Sequence, residues 1–540
     1  MGTWILFAAF APVIVTTINC DNTIKPNIIF ILADDLGWND VGFHGMTEIP
    51  TPNIDVLAYS GVILNNYYVN PICTPSRAAL LTGKYPIHTG LHYFALLPAE
   101  PRGLNLSEKL LPEYLKDLGY VNHIIGKWHL GYWKKEYTPT FRGFDSHLGF
   151  WNSGHDYFDH TKDDDWPSWG LDMRRNMDVA YDLHGQYSTD VFTREAIKII
   201  NNHNQSKPLF LYLAQAAVHA GNFYNPLPAP DEYVAKFNHI QDSHSRRKYA
   251  AILSKLDDSV GQLLQALANN TMLENSIIIF SSDNGASVAG AYDRSAGSNW
   301  PLRGAKNSLW EGGVRATAAI WSPLIKKNQR VSHHMMNIVD WLPTILEAAG
   351  GNLSSVSQVD GVSLWNSLVH DEISPRTEML LNIDPVLGEY GLRMGQWKLF
   401  KGKSSDSLYR AWSGPSGRGR PYNVSEITYS LAYRTLHPTS SLGTADIKEL
   451  RTRATVSCNN ETQIVCDSDS FCLFDIERDP CEYANLADKY PNKVEHLIQK
   501  LSSYNKTTLL PGNVALDPNA DPRLFNNVWT NWGDVVSSAC

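Results

Sequence analysis

Three stretches constrain the fold most: Asn27-Ile28-Ile29-Phe30-Ile31-Leu32-Ala33, Pro208-Leu209-Phe210-Leu211-Tyr212-Leu213-Ala214 and Ser276-Ile277-Ile278-Ile279-Phe280-Ser281. A strand with one wet face alternates apolar and polar side chains, whereas an uninterrupted β-branched and aromatic run suits a strand covered on both faces. Between the last two, Ile252, Leu256, Val260, Leu263, Leu264 and Leu267 recur at near-helical spacing across residues 246–267. Apolar runs separated by longer amphipathic segments predict βαβ units, hence an α/β fold with a large, mixed, mostly parallel sheet flanked by helices. From about Leu381 the pattern changes: the stretch from Leu392 to Phe400 and that from Cys472 to Ile476 read as antiparallel strands, with a helix from Val494 to Leu501 over one face. The expected organisation is a large domain over 21–380 and a smaller α+β domain over 381–540, which suits a chain of 540 residues.

The first residues, from Trp4 to Val15, form an apolar run too short to span a bilayer, and 1–20 are expected to be an export signal. No later segment predicts a membrane anchor. Asn-x-Ser/Thr acceptors at Asn105, Asn204, Asn269, Asn352, Asn423, Asn460 and Asn505 agree with a secretory, secreted or lysosomal route. Cys458, Cys466, Cys472 and Cys481 cluster as local disulfides would, with the pairing left open, while Cys73 stands alone far upstream. A net charge of -9 argues against nucleic acid as a partner. The sequence is silent on oligomeric state.

Each apolar run ends in residues with chemical potential: Asp34 and Asp35, then His219, then Asp283 and Asn284. In open α/β sheets ligands bind outside the carboxyl ends of the strands, so these residues are expected to converge. In Cys73-Thr74-Pro75-Ser76-Arg77-Ala78-Ala79-Leu80-Leu81-Thr82-Gly83, Pro75 suits a first helical turn and Gly83 a stop. Cys73 then occupies a helix N-terminus, where free N–H groups and the dipole favour an anion.

This stretch resembles, without a mismatch, the sulfatase-family signature C-x-P-S-R-x-x-x-L-T-G, whose Cys is oxidised to formylglycine. Gly126-Lys127-Trp128-His129-Leu130-Gly131 is similar to the second family signature. The block from Trp300 to Arg315, with Arg142-Gly143-Phe144-Asp145 and Asp156-Tyr157, resembles the arylsulfatase B-like (N-acetylgalactosamine-4-sulfatase-like) branch. The resemblance implies an alkaline-phosphatase-like fold and hydrolysis of a sulfate monoester through a sulfated enzyme intermediate. It implies one Ca²⁺, with Mg²⁺ as the other oxygen-loving choice, held by Asp34, Asp35, Asp283, Asn284 and the modified Cys73. Arg77 would stabilise the diol and the charge around the metal. Lys127 and Lys306 would hold sulfate oxygens, His129 would take a proton from the formylglycine hydroxyl, and His219 or Lys306 would protonate the leaving oxygen. The implied partners are a small sulfate-ester substrate and, during maturation, the formylglycine-generating enzyme.

Two other classes compete with this reading. A phosphohydrolase of the related superfamily would use Ser or Thr and zinc with His ligands; a sulfate-binding pseudoenzyme would lack a nucleophile, ligand or acid. The expected substrate is N-acetylgalactosamine 4-sulfate, an aryl sulfate or a small dietary sulfate such as a glucosinolate. An acidic, Trp-bearing loop over 156–169 would, if it borders the pocket, repel polysulfated chains. Near the expected pocket, Ala286 and Ala305 stand as departures from the family pattern. His155, His160, His333 and His334 carry no assigned role.

Overall fold

A computed structural model describes residues 1–2, 25–163, 169–289, 294–402, 413–439, 442–458, 466 and 470–538. The expected export signal from residue 3 onward, Asn460, and Asp164, Asp165 and Trp166 of the acidic loop lie outside the described residues.

The large sheet has ten strands: β1 (Asn27–Ala33), β2 (Val62–Leu64), β3 (Val121–Lys127), β4 (Ser146–Phe150), β5 (Arg174–Arg175), β6 (Asp178–Val179), β7 (Leu209–Ala214), β8 (Ser276–Ser282), β9 (Ala318–Trp321) and β10 (Arg330–Ser332). Their spatial order is β10-β2-β9-β8-β1-β7-β3-β4-β5-β6. The central β8-β1-β7-β3-β4 block is parallel. β9 runs antiparallel to both β8 and β2, and β5 and β6 turn back at the other edge. The sheet is thus mixed and mostly parallel, as the apolar runs predict.

Side-chain alternation sends the two halves of each run into different cores. Ile29 and Ile31 join the core under the helix His244–Asn269, with Ile252, Leu256 and Leu263. Ile28, Phe30 and Leu32 face the other core, with Leu80 and Leu81 of the helix Cys73–Thr82 and Trp341 and Leu342 of the helix Trp341–Ala348. Both faces are covered, which is why the runs show no polar alternation.

A four-stranded antiparallel sheet follows: β11 (Glu378–Asp384), β12 (Glu389–Met394), β13 (Trp397–Lys401) and β14 (Cys472–Asp475). Its first strand begins ahead of residue 381, where the composition changes. Leu392, Leu399 and Leu473 share a core with Leu497 and Leu501 of the helix Pro491–Asn505, and that core is continuous with Phe30 and Trp341 of the large sheet. Disulfides Cys458–Cys481 and Cys466–Cys472 tie this region. Among the described residues no helix is long and apolar enough to cross a membrane.

Glu389 of β12 stands opposite Asp384 of β11, both buried. Burial, and then the Asp384 carboxyl, push Glu389 up to about 8. The folded chain therefore holds this proton more tightly than the unfolded one. The stabilising contribution is fully present below the ordinary carboxylate range and is lost as pH rises towards 8. Chemical denaturation should give a midpoint that falls from pH 5 to pH 8, and Glu389→Gln should flatten that fall by up to a few kcal/mol.

Candidate active site

Parallel register delivers the predicted residues to one edge of the sheet. Leu32 pairs with Ala214 of β7 and Ser281 of β8, Ala33 pairs with Ser282, and Ala214 pairs with Gly126 of β3. The residues just past these positions are Asp34 and Asp35, the loop bearing His219, Asp283 and Asn284, and Lys127. Backbone bonds lock the loops together: Asp34 N–H donates to Ala217 O at 3.0 Å, and Val218 N–H donates to Asp34 O at 2.8 Å. Gly126 is required here, since a Cβ at its φ of +98° would lie 1.9 Å from Ala214 O.

Carboxylate oxygens of Asp34, Asp35 and Asp283 lie within 4.8 Å of one another, all buried. Cations surround them. Lys127 Nζ donates to Asp34 Oδ2 at 2.7 Å and Oδ1 at 3.0 Å. Arg77 Nη2 bridges Asp34 Oδ1 at 3.1 Å and Asp283 Oδ2 at 2.8 Å. Lys306 Nζ donates to Asp35 Oδ2 at 2.8 Å. Burial works against the ionised Asp34, but Lys127, His219 and Arg77 outweigh it and hold its carboxyl below the usual range. Burial and then Asp34 move the Asp283 carboxyl the other way.

The residue set fits a hard cation. Asn284 Nδ2 donates to Asp35 Oδ1 at 2.7 Å, while its buried Oδ1 has no hydrogen-bond partner. Three carboxylates and an orphaned amide oxygen, with no Cys or His in the cluster among the described residues, are oxygen donors of the kind that Ca²⁺ and Mg²⁺ take.

Cys73 is the first residue of the helix Cys73–Thr82, which closes on Gly83 at φ +67°. Burial raises its thiol, although Lys127 and Lys306 pull the other way. The neighbouring loop is fastened to this helix start. Leu96 N–H donates to Thr74 Oγ1 at 3.1 Å, and Thr74 Oγ1 donates to His129 O at 3.2 Å. His129 Nε2 donates to Leu96 O at 2.9 Å, which leaves its buried Nδ1 as an unpartnered acceptor. Burial, and then Lys127, hold this imidazole well below its ordinary value, so it is neutral. His219 Nδ1 donates to Ala220 O at 2.6 Å; its Nε2 faces Lys306 Nζ at 3.3 Å and Asp35 Oδ2 at 3.7 Å.

All predicted site residues therefore meet at one edge. Sequence reasoning missed the groups that aim them. Tyr157 Oη donates to both Ala216 O and His219 O at 2.8 Å, holding the loop of His219. Thr74, an unspecified position of the signature, holds His129. A fixed Tyr beside an acidic residue was the available signal for the first; the second had none. His155 and His160 are buried against Ser188, which both contact through a ring nitrogen. In the acidic loop, Asp156 accepts Phe158 N–H at 2.8 Å and Asp163 accepts Phe223 N–H at 3.0 Å, so these carboxylates fasten the loop as well as charge it.

Known proteins are similar to this chain in sequence and in fold. Residues 26–351 match the Sulfatase family model. The chain is 38% identical to mouse arylsulfatase J over 94% of its own length and 81% of the relative's. It is 34% identical to human N-acetylgalactosamine-6-sulfatase over 65% of this chain and 67% of that protein, and 32% identical to human arylsulfatase A over 69% and 74%. The crystal structure of Ps i-CgsB superposes with a TM-score of 0.71 at 27% identity, covering 90% of this chain and 94% of that one. These relatives are broader than the 4-sulfatase branch expected from the Trp300 to Arg315 block. The alkaline-phosphatase-like architecture and the sulfuric ester hydrolase activity expected from the signatures hold, and the chain belongs to the sulfatase family.

Proposed function

We propose that this sulfatase works through a formylglycine made from Cys73, with a calcium ion held by Asp34, Asp35, Asp283 and Asn284 Oδ1. The observation that carries the reading is the convergence of three carboxylates, an orphaned amide oxygen and three cationic side chains beside the Cys73 helix. The hydrated aldehyde would supply two hydroxyls, one to attack sulfur and one to expel sulfate; the cation would lower the energy of charge developing on oxygen.

The chain's own residues then divide the remaining work. Lys127 and Lys306 present ammonium groups towards the transferring sulfate, a preorganised stabilisation of negative charge. Arg77 spans Asp34 and Asp283 and keeps their spacing. The unpartnered Nδ1 of His129 accepts a proton from the hydroxyl at position 73. Lys306 Nζ, or His219 Nε2 beside it when the imidazole carries both protons, delivers a proton to the departing oxygen.

A small substrate suits the site: an aryl sulfate, N-acetylgalactosamine 4-sulfate or a glucosinolate-like ester. Asp156, Asp159 and Asp163 border the segment Asn222–Asn225 that follows His219, which disfavours polysulfated chains. Maturation would need the formylglycine-generating enzyme. A secreted or lysosomal location is supported by the two disulfides and by the exposure of every described acceptor asparagine: Asn105, Asn204, Asn269, Asn352, Asn423 and Asn505.

Cys73→Ala should abolish hydrolysis of 4-nitrocatechol sulfate, and peptide mass spectrometry should find the aldehyde at residue 73 in the unsubstituted protein only. Hydrolysis that survives the substitution refutes the assignment. His219→Ala should lower kcat by about 10²–10⁴ in steady-state kinetics with KM little changed. Chelation should remove activity, with Ca²⁺ or Mg²⁺ restoring it and Zn²⁺ failing to; a preference for Zn²⁺ would overturn the donor-set argument.

A further inference from the structure

A second basic cavity lies on the same edge of the large sheet, two strands beyond β8. Asn65 follows β2, and Arg315 precedes β9, which runs antiparallel to β8, so both stand at the edge where Asp283 ends β8. Arg393 reaches in from β12, making the cavity a junction between the two sheets. Its volume is about 490 Å³, and Asn65, Arg315, His333, Arg393, Arg453 and Glu477 line it.

The charges on its floor are unevenly compensated. Arg315 and Arg393 are 6% and 2% exposed. Arg315 donates to Asn65 O and approaches Glu311 Oε2 only at 3.5 Å. Arg393 donates through Nε to Gly395 O at 3.0 Å, and through Nη1 to Asn66 Oδ1 at 2.6 Å and to the Tyr68 hydroxyl. Glu311 is already held by Lys398 at 2.9 Å, and Lys398 also meets Glu482 at 2.8 Å. Glu482 is pushed up to about 7, first by burial, which weakens it as a counter-ion. The two floor arginines thus share one carboxylate with a lysine. At the rim, Arg453 pairs with exposed Glu449 at 3.8 Å, and among the described residues Glu477 is the single acid lining the cavity. Burial, and then Arg315 and Arg453, hold the His333 imidazole below its ordinary value.

Guanidinium groups recognise tetrahedral oxyanions through paired, charge-assisted hydrogen bonds, and a buried cation without a full counter-ion gains most from such a partner. We propose that this cavity is a second oxyanion site, separate from the Cys73 centre, which takes a sulfate group either as the free dianion or as part of an ester. The Arg315 guanidinium itself lies over the Trp38 ring, 4.7 Å from its centroid.

Isothermal titration of the full-length enzyme with sodium sulfate, at ionic strength fixed with chloride, should show two sulfates bound per chain. The rim substitutions R453Q and H333Q together should weaken one site roughly tenfold or more, as the loss of charge-assisted hydrogen bonds does. Hydrolysis of 4-nitrocatechol sulfate and its inhibition by sulfate should stay unchanged in that variant, since neither residue belongs to the catalytic cluster. A single sulfate per chain, or two of unaltered affinity in the double variant, would overturn the proposal. A parallel titration with a sulfated disaccharide assigns the source. Occupation of the second site by the ester shows that it accepts glycan-borne sulfate, and occupation by inorganic sulfate alone restricts it to the free ion.

Discussion

The structure turns on a lattice of buried opposite charges at the carboxyl end of the central strands. Asp34, Asp35 and Asp283 are met by Arg77, Lys127 and Lys306, nearly all of them out of water. Bringing one such ion into a protein interior costs several kcal/mol unless partners and hydrogen bonds offset it. No member of this set could be placed here without the others. The same lattice that keeps the fold tolerable holds three carboxylates close enough to share a cation, and keeps ammonium groups turned towards the residue at the helix start.

That lattice depends in turn on a dry, two-faced sheet. β1 carries apolar side chains to both sides, into the core beneath His244–Asn269 and the core beneath Cys73–Thr82, so its position and register are set from both directions. A slip of one residue would exchange the two cores, and Asp34 would leave its place beside Lys127. The small sheet shares the second core, and it contributes Lys398 and Arg393 to a separate group of buried charges around Glu311. The two charged regions lie on one sheet edge but differ in balance. The first has a carboxylate for each cation; the second has more cations than it has freely ionised acids.

Much of this was legible in the chain before any coordinates. The three unalternating runs announced β1, β7 and β8, and the Ile252 to Leu267 period announced the long helix. The stretch around Cys73 marked both a helix start and a chemistry. Other elements were not readable, for physical reasons. β9 is a four-residue strand, Ala318–Trp321, whose antiparallel direction comes from pairing on both sides. β3 ends in Gly126 and Lys127 and has half-buried positions, so its composition is mixed although it lies well inside the sheet. The disulfide pairing was open because spacing alone does not choose among partners.

The sequence by itself determined the kinds of groups available and their order along the chain: acids and an amide directly after apolar strands, a cysteine at a helix start, and two signatures with a lysine and a histidine. Those are local properties, decided by side-chain periodicity and by which residues can begin or end a helix. Only the tertiary structure decided that Asp34, Lys127, His219, Asp283 and Lys306, spread over more than half the chain, share one edge, because strand order and register are set by packing between distant segments. It also decided which nitrogen of His129 is tied to Leu96 and which is left without a partner, that Tyr157 holds the loop of His219, and that Arg315 and Arg393 line one cavity between two sheets. Such pairings arise from the low dielectric of a closed interior, where a buried polar group is costly without a partner, and no linear pattern records which partner is nearest.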